Sequence, residues 1–296
     1  MSIKQGDSIG IIALSGDCER EKVESAKSFF EKLGYKVKLS DNIFDKKRYL
    51  AGDDEKKISE LHSFYLSPEI KLILASRGGY GAIRLLNGID YDLIKSNPKP
   101  LCGFSDVTAL LLMIYKKTGH ITYHTPMACT NFLKSAENGK LSFTQKKFFE
   151  VINQEKQVLK GDKLYNEGYS KGIIWGGNLS TVVSLCGLDF IPDKDFLFFT
   201  EDLNEPVYKI DKMFQQLLNI EKFKNNCKGI VLGDFLDVDN EVWLDDYFRE
   251  LGEKLNIPIS AGYKITHKGD MVSIPIGENA ILEEKELVIL PHKVCE

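Results

Sequence analysis

Short apolar runs punctuate this chain, and between them apolar residues recur every three or four positions. "SIGIIAL" (residues 8–14) reads as a buried strand. Behind it, Val23, Ala26, Phe29, Phe30 and Leu33 share one face of a helix, capped by Ser15 or Asp17 and stopped by Gly34. "YKVKL", "EIKLILAS" (69–76), "KPLCGFS" and "HITYHTP" (120–126) supply four more strands. Strands alternating with helical patterns predict βαβ units and a parallel sheet with right-handed crossovers. From residue 131 to 165 the texture turns to Lys, Glu, Gln and Asn around one apolar patch, Phe148 to Ile152, and reads as a linker. Strand-like runs resume at "SKGIIWGG" and "DFLFFTED". A helix is predicted from Val207 to Phe223, with Ile210, Met213, Phe214, Leu217 and Leu218 on one face. The strand "KGIVLGDF", a helix from Trp243 to Leu255 and the strand "IPISAG" come next. The last run, "VSIPIGENAILEEKELVIL", alternates around a turn near Gly277 and predicts antiparallel strands. The pattern predicts an α/β protein. A parallel-sheet domain spans 1–130, a linker 131–165, and a smaller mixed α/β domain 166–296.

Composition narrows the function. At 296 residues the chain is near the length at which one core splits in two. Hydrophobic residues are 43% and charged residues 28%, ordinary for a globular protein. A net charge of -4 offers no basic field for nucleic acid and no surface for anionic lipid. No apolar run approaches the length of a membrane span, and Ile9 to Leu14 is too short for the core of a secretory leader. The six cysteines are scattered without a CxxC pair, which predicts reduced thiols in a cytoplasmic protein and neither a zinc site nor a disulfide framework.

The candidate chemistry starts at "PLCGFSDVTALLLMIYKK" (100–117), a short strand, a sharp turn and an almost wholly apolar helix. Ser105 at the seam has two readings: a helix cap, or a nucleophile held out by the turn beside a helix N-terminus. "SRGGYGAIRLL" (76–86) comes after another strand of the same predicted sheet. Its spacing fits neither a Walker motif nor G-x-G-x-x-G, so it is either a plain turn or a loop whose glycine N–H groups meet an oxyanion. Both segments leave the carboxyl ends of parallel strands, the edge where such sheets bind ligands.

A serine needs a base, and the base needs an orienting group. Of the five histidines, His62 lies in a polar helix, His120 precedes a strand and His292 is near the C-terminus. His124, in "TYHTP", and His267, in "AGYKITHKGDMVSIPIG", remain equal competitors on pattern alone. Glu201, Asp202 and Glu205 sit just past an apolar strand, either as helix-entry acids or as the orienting carboxylate.

These segments together resemble the LD-carboxypeptidases, a serine-peptidase family of bacterial cell-wall recycling that also holds the microcin C self-immunity peptidases. The matching stretches are "GDSIGIIALSG", "SRGGYGAIRLL", "GFSDVTALLL", "TYHTPM", "IWGGNLS", "FFTEDLNEPVYKIDKM" and "GYKITHKGDMVSIPIG", in family order along nearly the whole chain. The resemblance implies a Rossmann-like N-terminal domain carrying the nucleophile Ser105 and a C-terminal domain carrying Glu201 and His267, the triad assembling across the domains. It implies an oxyanion hole of the Gly79 and Asp106 N–H groups, and it favours His267 over His124, which becomes pocket wall. Thr200 departs from the aliphatic residue expected before Glu201. Arg77 and Arg84 are candidates for holding the substrate carboxylate, with a structural ion pair as the alternative for each.

The implied activity is release of the terminal D-alanine from murein tetrapeptides, without metal or organic cofactor, by a cytoplasmic homodimer. Two alternatives stand beside it. One is a microcin-type immunity peptidase acting on aminoacyl-nucleotide analogues. The other is a non-catalytic two-domain ligand-binding protein. The order Ser…Glu…His matches the α/β-hydrolases, but Val107 stands where G-x-S-x-G has glycine, which argues against that fold.

Overall fold

A computed structural model describes residues 2–133 and 140–291. Two compact units emerge, one of residues 1–154 with 273–275 and one of 155–272 with 276–296.

The first unit is built on β1 (Ser8–Ile12), α1 (Arg20–Lys32), β2 (Lys36–Leu39), α2 (Asp54–Leu66), β3 (Ile70–Ala75), α3 (Tyr91–Ser96), β4 (Leu101–Gly103), α4 (Thr108–Thr118), β5 (Thr122–His124), α5 (Ala128–Asn131) and α6 (Phe143–Ile152). β2, β1, β3, β4 and β5 lie side by side and pair in parallel, the doubly wound arrangement that alternating strands and helices require. Both faces are covered. α4, buried from Thr108 to Ile114, is apolar all round because it is packed all round. On the other face, Val23, Ala26 and Phe30 of α1 pack with Ile9, Ile11, Leu72 and Leu74.

α1 starts at Arg20 with Glu19 at the N-cap, later than capping by Ser15 or Asp17 predicts. The intervening backbone has another task. Gly16 N–H donates to Gly78 O at 3.1 Å and Ser15 O accepts from Ala51 N–H at 2.9 Å, so the segment braces the glycine loop. Residues 131–165 are likewise more than a linker. α6, capped by a reciprocal Ser142–Gln145 pair, sends Phe148 against Phe132 (ring centroids 5.1 Å) and Phe30, and so completes the first unit's core. Cys18 and Cys129, expected as free thiols, are joined as a disulfide. Separation along the chain hid this, because α5 returns 111 residues later to the loop after β1. Cys102, Cys186 and Cys227 are free thiols. Cys295 and His292 lie outside the described residues.

The second unit contains β6 (Gln157–Lys160), β7 (Lys163–Asn166), β8 (Tyr169–Asn178), α7 (Leu179–Ser184), β9 (Phe196–Leu203), α8 (Val207–Leu218), α9 (Glu221–Asn226), β10 (Cys227–Leu236), α10 (Glu241–Leu255) and β11 (Ile259–Ala261). After β12 (Ile274–Ile276) come β13 (Asn279–Glu283) and β14 (Glu286–Ile289). Its sheet runs β6-β14-β13-β8-β9-β10-β11-β7, parallel from β8 to β11 and antiparallel outside. The predicted hairpin is β13–β14, turning at Glu284 and Lys285. Gly277 makes no hairpin, because β12 before it joins the other sheet beside β5. Among the described residues no helix is long and apolar enough to cross a membrane.

α10 is tied to β7 by charge. Asp245 accepts from Tyr165 Oη at 2.7 Å and from Arg249 Nη2 at 3.0 Å, and pairs with Lys163. Burial alone would raise its carboxyl, but Lys163, Tyr165 and Arg249 bring it down to about 2. A depressed carboxyl stabilises the fold above its unfolded value, and that contribution disappears as pH falls through the folded value. Asp245→Asn should therefore cost on the order of 1 kcal/mol at pH 7, given partial solvent screening. The gap to wild type should close as pH drops from about 4 toward 2. Both tryptophans, Trp175 and Trp243, lie in this unit, so equilibrium unfolding followed by their fluorescence is the measurement. A gap independent of pH would remove the electrostatic account.

Candidate active site

In the first unit the site is made by two turns that leave neighbouring strands. β4 ends at Gly103, where a Cβ would come within 2.9 Å of Val107 and 3.1 Å of Ala75, so only glycine lets the chain double back this tightly. Ser105 opens a 3-10 turn, Ser105–Val107, that leads into α4. The N-cap positions are Phe104 and Val107, so Ser105 is not the helix cap. Its φ is +60°, in the left-handed region, which costs an L-residue about 1–2 kcal/mol. The side chain is partly exposed, while the apolar residues on either side of the turn are buried.

The second turn comes after β3. Gly78 lies against the serine: a Cβ there would sit 3.1 Å from Ser105 Oγ and 3.0 Å from its Cβ. Any side chain at residue 78 would displace the hydroxyl. Gly79, at φ +114°, is exposed. Arg77 is exposed too, and donates from Nη1 to Asp17 O at 3.1 Å. Arg84 is taken up by Asp54, whose Oδ2 receives both Nε (2.8 Å) and Nη2 (2.5 Å). Its geometry is that of the structural ion pair. The Asp106 carboxylate is turned inward and accepts the Ala82 N–H at 2.8 Å. Burial pushes this carboxyl up, against the pull of Ser15, the Ala82 N–H and Lys57. His124 is fully buried with its ring edge-on to Phe104 (5.8 Å), placing it in the core behind the Ser105 turn. His62 accepts the Asp90 N–H through Nε2, a structural role.

In the second unit, β9 delivers Glu201 beside Asn178 of β8. β8 can run this close because Gly176, at φ +145°, has no Cβ to strike the Phe199 carbonyl. Thr200 keeps its hydroxyl in the core by donating to Gly177 O at 2.9 Å, which accounts for a polar residue at a position expected to be aliphatic. Glu201 is fully buried, and its Oε2 lies 2.5 Å from His267 Nδ1. With a carboxylate as acceptor, Nδ1 carries the proton and Nε2 is the basic nitrogen. Burial raises the Glu201 carboxyl above its ordinary value, and the His267 bond pulls it back.

The loop carrying His267 is pinned to β10, with Asp234 N–H donating to Ile265 O (2.9 Å) and Lys268 paired to Asp237 (2.7 Å). Asp202, the other acid at this strand end, accepts from the Asn178 side-chain amide Nδ2 and from the backbone N–H groups of Ser180 and Leu203 at 2.8–2.9 Å. Sequence reasoning singled out Ser105, Glu201 and His267 but missed the contact of Gly78 and the inward role of the Asp106 carboxylate. The tight glycine run was the available signal for the first. Among the described residues no group of three His, Cys, Asp or Glu side chains is arranged to hold a metal ion.

The arrangement supplies a strained serine beside glycine-loop amides in one unit and a carboxylate-oriented imidazole in the other. Residues 9–125 match the LD-carboxypeptidase N-terminal domain, and residues 171–282 match the LD-carboxypeptidase C-terminal domain. A Bacillus subtilis protein named "Probable murein peptide carboxypeptidase" is 32% identical over 96% of this chain and 91% of its own length. Among solved structures, an MccF-like protein from Bacillus anthracis superposes with a TM-score of 0.88 at 28% identity, covering 98% of both chains. The muramoyltetrapeptide carboxypeptidase from Oxalobacter formigenes gives 0.86 at 27% identity over 96% of this chain and 99% of its own. With both domains matched in order and a relative alike along almost its full length, this chain is a carboxypeptidase of the LD-carboxypeptidase family.

Proposed function

We propose that the chain is a serine-type LD-carboxypeptidase that releases the terminal D-alanine from murein tetrapeptides in cell-wall recycling. The observation that carries the serine reading is the +60° φ of Ser105 at a strand–helix turn pressed against Gly78. Strain of this kind persists where the surroundings over-determine it, and such positions cluster at active sites. The substrate class is supported by the names of the Bacillus subtilis and Oxalobacter formigenes relatives. A cytoplasmic location and a homodimer belong to the same proposal and rest on the family resemblance.

In this reading His267 Nε2 takes the Ser105 proton as Oγ attacks the carbonyl carbon of the L–D amide bond. Glu201 holds the imidazole in the Nδ1–H tautomer and stabilises the imidazolium. The carbonyl oxygen becomes an oxyanion received by the Gly79 and Asp106 N–H groups, a contribution of about 3 kcal/mol per donor. His267 then protonates the leaving nitrogen, the C–N bond breaks, and D-alanine departs. Water, deprotonated by the same nitrogen, attacks the acyl-enzyme ester, and collapse returns the proton to Ser105. Arg77, exposed beside the glycine loop, is the candidate partner for the substrate carboxylate, whereas Arg84 is committed to Asp54.

Ser105→Ala and His267→Ala should each lower kcat by ~10⁴-fold or more, Ser105→Ala leaving the thermal transition near that of wild type. Steady-state rates on a murein tetrapeptide and mass detection of a Ser105 acyl-enzyme are the measurements. A Ser105→Ala protein that kept about a tenth of kcat would remove the nucleophile assignment. A wild-type protein that bound the peptide without turning it over would favour a binding protein.

Substrate stereochemistry provides an independent check. Inverting the leaving residue exchanges its side chain with its α-hydrogen while the oxyanion donors stay fixed. Small displacements from attack geometry cost about 10²-fold. A tetrapeptide ending in D-Ala should be cut at least about a hundredfold better in kcat/KM than one ending in L-Ala. Efficient cutting of a D–D bond would exclude the LD reading. Turnover of an aminoacyl-nucleotide analogue in place of the tetrapeptide would move the chain to the activity suggested by its likeness to the MccF-like structure.

A further inference from the structure

Asp106 has two groups facing two ways. Its main chain belongs to the turn that presents Ser105, while its carboxylate crosses to the glycine loop and accepts the Ala82 N–H at 2.8 Å. Ala82 is the first residue of the 3-10 helix Ala82–Gly88 that ends the loop, and both partners are buried. The bond therefore closes a short path from one turn to the other: Ser105, Asp106, Ala82, Gly81, Tyr80, Gly79.

The opposite side of the loop is also fixed. Lys57 of α2 is fully buried and pairs with Asp54 at 3.0 Å, and its Nζ lies 3.4 Å from where a Gly81 Cβ would be. At the other end, Gly16 N–H holds Gly78 O. The glycines at 78, 79 and 81 would otherwise leave this loop the most conformationally free segment beside the nucleophile. An oxyanion hole works only if its donors are in place before charge develops.

We infer that the Asp106 side chain is a positioning residue that sets the spacing between the two backbone donors of the oxyanion hole, by clamping the glycine loop to the nucleophile turn through Ala82 N–H. The inference rests on the serine-peptidase reading. It assigns the Asp106 carboxylate no contact with substrate and no proton transfer.

The test compares Asp106→Ala with Asp106→Asn. Alanine removes the acceptor. The Asn amide oxygen still accepts from Ala82 N–H. Asp106→Ala should lower kcat by about 10²-fold, the cost of a misplaced donor, with KM within about threefold of wild type. Asp106→Asn should recover most of that loss. A peptide aldehyde, whose adduct with Ser105 carries the tetrahedral oxygen, should lose affinity for Asp106→Ala in parallel with kcat/KM, while the tripeptide product binds unchanged. The Ala82 amide should be protected from hydrogen exchange in wild type and in Asp106→Asn, a measurement that stands even if the alanine variant fails to fold.

Wild-type kcat or unchanged aldehyde affinity in Asp106→Ala would overturn the inference. So would an Asp106→Asn variant as impaired as the alanine, or an unprotected Ala82 amide in wild type. Failure of the underlying reading is separate: the wild-type enzyme would then form no aldehyde adduct on Ser105.

Discussion

The backbone conformation of Ser105 is the constraint around which the first unit is arranged. A non-glycine residue at φ +60° is held there only by its neighbours. Those neighbours are specific: Gly103 lets the chain fold back on β3 and Val107, Gly78 leaves room for the hydroxyl, and the buried α4 anchors the chain beyond the turn. Each is a residue or segment whose size or burial is dictated by the turn. The resulting hydroxyl sits at the carboxyl edge of a parallel sheet, where strand ends converge and helices begin.

The second unit solves a different problem, that of orienting an imidazole. A fully buried carboxylate is unfavourable unless it is hydrogen-bonded, and the 2.5 Å contact with His267 supplies a charge-assisted bond. Burial makes the bond strong because the local dielectric is low and water does not compete. Asp202 next to it could have taken the same part by sequence alone. Instead it is consumed by three donors, from Asn178, Ser180 and Leu203. Division of labour between the adjacent acids follows from which one faces the histidine and which faces the start of α7.

Much of this was legible in the sequence, because strand–helix alternation and turn glycines are local signals. The parallel strands around β1, β3 and β4 and the glycine loop were marked by short-range pattern, whereas Ser105, Glu201 and His267 were candidates among alternatives on pattern and were singled out by family resemblance. What escaped was long-range. Phe148 reads as an apolar patch in a polar stretch, and only tertiary packing against Phe30 and Phe132 shows it to be core. β12 and β13 are separated by Gly277 and look like a hairpin, yet they enter different sheets, a choice no alternation of residues encodes. Cys18 and Cys129 carried no spacing signal. The competition between His124 and His267 could not be decided from pattern either, since both lie near strand ends and burial separates them only in three dimensions.

Unfavourable features in this protein are concentrated rather than spread. Many of its ion pairs are at the surface, as with Lys22–Glu19 and Lys160–Glu286, where they contribute little. Among the buried charged groups, Lys57, Asp106 and Glu201 sit beneath the glycine loop, the Ser105 turn and the His267 loop. A charge held in the interior often stabilises less than a hydrophobic residue of similar volume, so its value lies in fixing geometry. Two of the three are carboxyls raised by burial, and each receives a well-defined donor in return: the Ala82 N–H for Asp106 and the His267 Nδ1–H for Glu201. The same physical device thus appears in both units. In the first unit it holds a loop, and in the second it holds a ring. In both cases the donor belongs to an element that would otherwise be free to move, a glycine-rich loop or a side chain with rotatable bonds. Stability given up at those two points is exchanged for order where the chemistry needs it.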